Sequence, residues 1–117
     1  MKYPVSDSYK LFIGGRWIEA SDGAVLDTYC PANGERIASI ADATREDVDA
    51  AVDAAHEAFV SWGRTDKTGR ARILTAVADV IEENAEHLAL VESIDNGKPI
   101  RETRANDVAD YAEKKKK

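Results

Sequence analysis

The chain has 117 residues, enough for one domain with a modest core, and its 44% hydrophobic and 32% charged content is that of a folded chain. Its net charge of −6, reached in spite of four terminal Lys, argues against nucleic acid and anionic membrane as partners. A single cysteine, Cys30, excludes an intramolecular disulfide. With no signal-peptide core and no apolar run near the roughly 18 residues of a membrane span, a reducing, cytoplasmic setting is expected.

Residues 1–9 have no clear period and read as an irregular lead-in. Leu11, Phe12 and Ile13 precede Gly14-Gly15, and Arg16, Trp17 and Ile18 follow. Two β-rich runs around Gly-Gly predict a tight hairpin, because that turn needs positive φ. Ser21-Asp22-Gly23 is a further turn. Val25–Tyr29 and the run 35–40 then predict a second hairpin, with Asn33-Gly34 as the turn signal and Pro31 marking the strand's end.

Thr44 is the expected N-cap of a first helix, with Glu46 and Asp47 in its first turn. Val48, Val52, Ala55, Phe59 and Trp62 make its apolar stripe, and Gly63 ends it. Two helices end to end are expected over 67–102. Ile73, Leu74, Val77 and Ile81 form the face of the first, and Leu90, Val91 and Ile94 that of the second. Asn84 is the expected N-cap between them, Asn96-Gly97 the C-cap signal, and Pro99 the stop. A weaker fourth helix is expected over 100–112, with Ala105, Val108, Ala109 and Ala112 on one side. The four terminal Lys read as a solvated tail. Two hairpins followed by about four helices is an α+β pattern, with no β-α-β unit.

Little of this resembles a reaction centre. A phosphate cradle needs glycines feeding a helix N-terminus, whereas Gly14-Gly15 leads into a strand. Cys30 lies between Tyr29 and Pro31 with no local base, and reads as a partly buried structural cysteine rather than a nucleophile. His56 and His87, with one cysteine, do not make a transition-metal site. Asp95 is the exception. It falls at a helix C-terminus, where the dipole disfavours a carboxylate, so Lys98 or a bound cation should compensate.

The segments LFIGGRW, DTYCPANGERIASI, REDVDAAVDAAHEAF and ESIDNGKPIRET, in this order, resemble the N-terminal part of the aldehyde dehydrogenase superfamily. The similarity runs from about Tyr9 to Tyr111. DNGKPIRET followed by ANDVADYA looks most like the acetaldehyde-type branch. The resemblance implies that 1–112 is the N-terminal segment of a cofactor-binding, Rossmann-type α/β domain, and 113–117 a Lys-rich tail. Cys30 departs from the family's usual Asn before Pro31. His87 stands where a Glu would complete a capping box with Asn84.

The parent reaction implied is NAD(P)-dependent oxidation of a short-chain aldehyde, such as acetaldehyde, to the carboxylic acid. That chemistry needs a cysteine thiolate, oxyanion donors, a glutamate base and the nicotinamide. In the family these lie downstream of the similar region, and Cys30 is not the matching cysteine. No catalytic or cofactor-binding residue is therefore carried over, and the chain alone is expected to be inactive and not to bind NAD(P). The residues matching Thr28, Tyr29 and Asp95 help hold a structural Na⁺ or K⁺ in many members, which is the one site the resemblance implies. The alternative expectation is a standalone interaction module that pairs with itself or with a full-length homologue through its apolar stripes.

Overall fold

The computed structural model describes residues 3–108. It is α+β, as expected: strands β1 (Ser8–Tyr9), β2 (Leu11–Ile13), β3 (Arg16–Ile18), β4 (Val25–Tyr29) and β5 (Arg36–Ala41) precede the helices. These are α1 (Arg45–Trp62), α2 (Lys67–Glu83), α3 (Ala85–Asn96) and the single turn α4 (Ile100–Glu102), which widens into a π-helical stretch, Thr103–Val108. The chain divides into two compact units. One is Met1–Tyr29 with Arg36–Arg64, and the other is Cys30–Glu35 with Thr65–Lys117.

In the first unit, β2 and β3 pair antiparallel with Phe12 opposite Trp17. Gly14 and Gly15 take φ of +58° and +77°, the double left-handed turn that two side-chain-bearing residues would resist. A three-stranded sheet has the order β1-β5-β4. β4 and β5 are the expected hairpin, with a register shift between Thr28 and Tyr29. The lead-in is not wholly irregular. Ser8 and Tyr9 pair parallel to Ser39 and Ile40, and Asp7 accepts a hydrogen bond from the Ser39 amide. Two residues are too short to show a period, so only the edge of β5 reveals them as a strand.

α1 opens on a complete capping box between Thr44 and Asp47. Its expected core stripe lies on the outside: Val48, Val52, Phe59 and Trp62 are all exposed. The half-buried positions are instead Ala51 and Ala54, and the Ala54 Cβ comes within 4.0 Å of where a side chain on Gly14 would begin. Small residues let this helix approach the hairpin closely.

In the second unit, Asp66 caps α2 by accepting from the Gly69 amide at 2.8 Å. A Cβ at Gly69 would meet the capping oxygen and the Thr65 methyl within 3 Å, so those two side chains would have to turn aside. The break between α2 and α3 falls at Asn84, as expected, but its role is reversed. The Asn84 side chain makes no N-cap bond and donates to the Val80 carbonyl, closing the end of α2. Its ψ of 14° keeps it near helical geometry, out of the extended conformation an N-cap needs. Gly97 ends α3 in the left-handed region at φ +77°.

The fourth helix differs from expectation. After α4 the Thr103 hydroxyl, fully buried, lies 3.0 Å from both the Ile100 and the Ala89 carbonyls. Its single proton is shared between them. A side-chain donor on Ile100 competes with the next backbone amide, and the helix widens from this residue onward. The expected continuation through Ala109 and Ala112, and the boundary between 112 and 113, lie outside the described residues.

The cores are thin. Among the described residues the buried apolar side chains are Ala20, Cys30, Ala38, Ala78 and Ala89. No Leu, Ile, Val, Phe or Trp joins them.

Candidate functional site

Thr28 is half-buried at the irregularity of β4, and Tyr29, 55% exposed, follows it. Both belong to the first unit. Asp95 belongs to the second unit, exposed in the last turn of α3. Near it, the Lys98 ammonium stands 3.8 Å from a Glu92 carboxylate oxygen, while the Lys98 amide donates to Asn96 Oδ1 at 2.8 Å. Ser93 Oγ donates to the Lys98 carbonyl at 2.5 Å, so the Asp-Asn-Gly-Lys-Pro turn is closed by side chains as well as backbone. Among the described residues no three His, Cys, Asp or Glu side chains cluster as a transition-metal site would require. His56 and His87 are both exposed.

Cys30 is 5% exposed. Its amide donates to the Glu35 carbonyl at 2.8 Å, and its own carbonyl accepts from Gly34 at 2.7 Å. This backbone role, rather than a reacting thiol, accounts for its position. Gly34 alone takes positive φ, so the turn is a wider loop and not the two-residue form in which Asn33 would share it.

Three polar clusters go beyond the Thr44 cap expected from the sequence. Asp47 Oδ2 accepts from the amides of Thr44 at 2.9 Å and Ser21 at 3.1 Å, and these bonds hold its carboxyl below the usual carboxylate range. Asp27 on β4 accepts from Ser39 Oγ at 2.5 Å and Arg36 Nε at 2.8 Å, and both lower its pKa, Ser39 the more. Glu86 and Arg104 form a bidentate pair that lowers the one pKa and raises the other. The Thr44-x-x-Asp47 spacing could have pointed to the first. The other two join residues on different elements, for which a single sequence has no local signal.

The first cluster borders an open groove of about 340 Å³ lined by Ser21, Asp22, Thr44, Arg45 and Glu46. A groove of about 280 Å³ beside Tyr9, Ala20, Val25 and Ala41 is at the small end for a ligand site. The Lys10–Glu19 pair among its lining residues is exposed to solvent, at 3.2 Å. A carbon-lined groove with one solvated ion pair lacks the convergent polar groups of a catalytic pocket. Among the described residues, no helix is long and apolar enough to cross a membrane.

The sequence pattern of the aldehyde dehydrogenase family matches residues 17–116. Acetaldehyde dehydrogenase 2 of Cupriavidus necator is 45% identical over 105 residues, which is 90% of this chain and 21% of that protein. An aldehyde dehydrogenase of Deinococcus radiodurans is 47% identical over 100 residues, or 86% of this chain and 19% of that one. Among solved structures, the NAD⁺ complex of aldehyde dehydrogenase from Bacillus cereus superposes with a TM-score of 0.89 at 38% identity, covering 93% of this chain and 23% of that chain. The chain thus spans about a fifth of the length of the curated relatives it matches.

Proposed function

Because the chain belongs to the aldehyde dehydrogenase family, we propose that it supplies the N-terminal part of the cofactor-binding domain of an NAD(P)-dependent enzyme that oxidises a short-chain aldehyde such as acetaldehyde, and that it is inert by itself. The observation that carries this reading is the thin core. The apolar faces of α1 and α2 hold Val48, Val52, Phe59, Ile73, Leu74 and Val77, all exposed. A domain of this size normally buries such residues, each contributing about 1.5–3 kcal/mol when fully covered. Faces of this kind suit a segment that packs against further protein.

The described residues do not fit a nicotinamide cofactor. The Gly14-Gly15 pair closes a hairpin, and the described elements contain no glycine turn from a strand into a helix N-terminus. The cofactor, the nucleophilic thiolate and the glutamate base are assigned to the rest of the parent enzyme, which we place in the cytoplasm. Purified chain of verified mass, offered acetaldehyde with NAD⁺ and then NADP⁺, is expected to form no reduced nicotinamide. Turnover free of contaminating enzyme overturns the reading.

Thr28, Tyr29 and Asp95 are proposed as oxygen ligands of a Na⁺ or K⁺ ion. The donor types suit a hard cation, and the resemblance to the family is what joins the three residues. Asp95→Ala is expected to abolish K⁺ dependence of the Tm; an unaltered chain whose Tm ignores K⁺ removes the assignment.

A second reading, an interaction module, is favoured by one feature. Phe12 and Trp17 pack as a tilted pair with ring centroids 4.9 Å apart, yet are 60% and 64% exposed. Pairing with another copy or a full-length homologue through such surfaces would appear as a discrete oligomer in sedimentation, dispersed by Trp17→Ser. A monomer at all concentrations excludes self-pairing.

A further inference from the structure

The sequence holds two Asn-Gly pairs, Asn33-Gly34 and Asn96-Gly97, each in a turn. Asn-Gly is also the dipeptide most open to ring closure, because no side chain on the glycine hinders approach of its nitrogen to the asparagine Cγ. In that reaction the glycine amide loses its proton to solvent base and its nitrogen bonds to Cγ. The Cγ–Nδ2 bond breaks and ammonia leaves. Water then opens the succinimide at either carbonyl, giving aspartate or isoaspartate.

Both pairs are closed by the same two hydrogen bonds. The Gly34 amide donates to the Cys30 carbonyl at 2.7 Å, and the Gly97 amide to the Ser93 carbonyl at 3.0 Å. Asn33 Oδ1 accepts from the Glu35 amide at 2.9 Å, and Asn96 Oδ1 from the Lys98 amide at 2.8 Å. The attacking nitrogen is therefore engaged as a donor, and the electrophilic amide is held by the backbone N–H two residues on. A carboxylate also holds each departing nitrogen: Glu35 at 3.3 Å from Asn33 Nδ2, and Glu92 at 3.4 Å from Asn96 Nδ2. The two turns touch, since a side chain begun at Gly97 would lie 3.0 Å from Pro31.

We propose that Asn33 and Asn96 are masked deamidation sites, held unreactive by these paired bonds and released when the turns open. Reaction at Asn96 would place a new carboxylate at the negative end of α3, beside Asp95 and Glu92, so the opened turn would not re-form as before.

The test incubates the whole chain in mildly alkaline buffer, folded or in guanidinium, and quantifies aspartate and isoaspartate at each position by peptide mass spectrometry. Losing two hydrogen bonds per site predicts that both react about tenfold or more slowly when folded. Ser93→Ala, which removes the Ser93 hydroxyl bond to Lys98, is expected to accelerate Asn96 several-fold and leave Asn33 unchanged. Either site reacting in the folded chain as fast as in guanidinium overturns the proposal, as does equal acceleration of both sites by Ser93→Ala.

Discussion

Asp47 Oδ2 stands 3.1 Å from the backbone nitrogen of Ser21, so the first turn of α1 holds the turn that leaves β3. The same oxygen accepts from the Thr44 amide, and Ser21 Oγ lies 2.7 Å from Thr44 Oγ1. One carboxylate thereby caps the start of a helix and fixes a loop distant in sequence. Thr44→Ala should cost about 1 kcal/mol, the usual worth of an N-cap. Asp47→Ala should cost more, since it also frees Ser21. Urea unfolding of the two variants gives the order.

The same geometry sets a pH dependence. Asp47, Asp27 and Glu86 all have lowered pKa values in the folded chain. The stability they contribute is present above the unfolded carboxylate pKa values, roughly 4, and is lost as pH falls through the lower folded values. Unfolding midpoints should therefore fall as the solution is acidified below about pH 4. Asp47→Asn should give a shallower fall than the unaltered chain.

Gly97 and Gly15 share φ of +77° but differ in surroundings. A Cβ on Gly15 meets nothing within 4 Å, whereas one on Gly97 meets Pro31 Cγ at 3.0 Å. Gly15→Ala should cost only the left-handed penalty of about 1–2 kcal/mol. Gly97→Ala should cost distinctly more, because the proline ring must also move. Equal losses in chemical denaturation would mean that the Pro31 turn yields freely.

Thr103 and Arg104 are neighbours with opposite exposure. Thr103→Val removes a buried hydroxyl that serves two carbonyls and should cost about 1–3 kcal/mol, with Thr103→Ser recovering part of it. Arg104→Ala breaks a well-formed ion pair that is open to solvent, and should shift the Tm little.

Much of this fold was legible from local rules. Leu11–Ile18 reads as a hairpin because Gly14-Gly15 tolerates positive φ at both turn positions, and α1 starts at Thr44 because capping chemistry lies within four residues. The failures are equally physical. Val48, Val52, Phe59 and Trp62 have the period of a core face, but period records what a helix can bury, not whether a partner is at hand. The strand at Ser8 and Tyr9 exists only through its pairing with β5. Asn84 offers the same side chain to either neighbouring helix, and its backbone angles decide for α2. Of the proposed cation ligands, the local settings of Thr28, Tyr29 and Asp95 are visible one by one. The family resemblance, not any pattern in the residues, linked them.

The burial of Cys30 has a practical consequence. Its sulfur is the chain's one thiol, and its own amide and carbonyl both close the 30–35 turn. At 5% exposure it is closed to a labelling reagent until the structure around it opens. Alkylation at low denaturant therefore becomes a stopwatch for local breathing, read at one atom with no engineered probe.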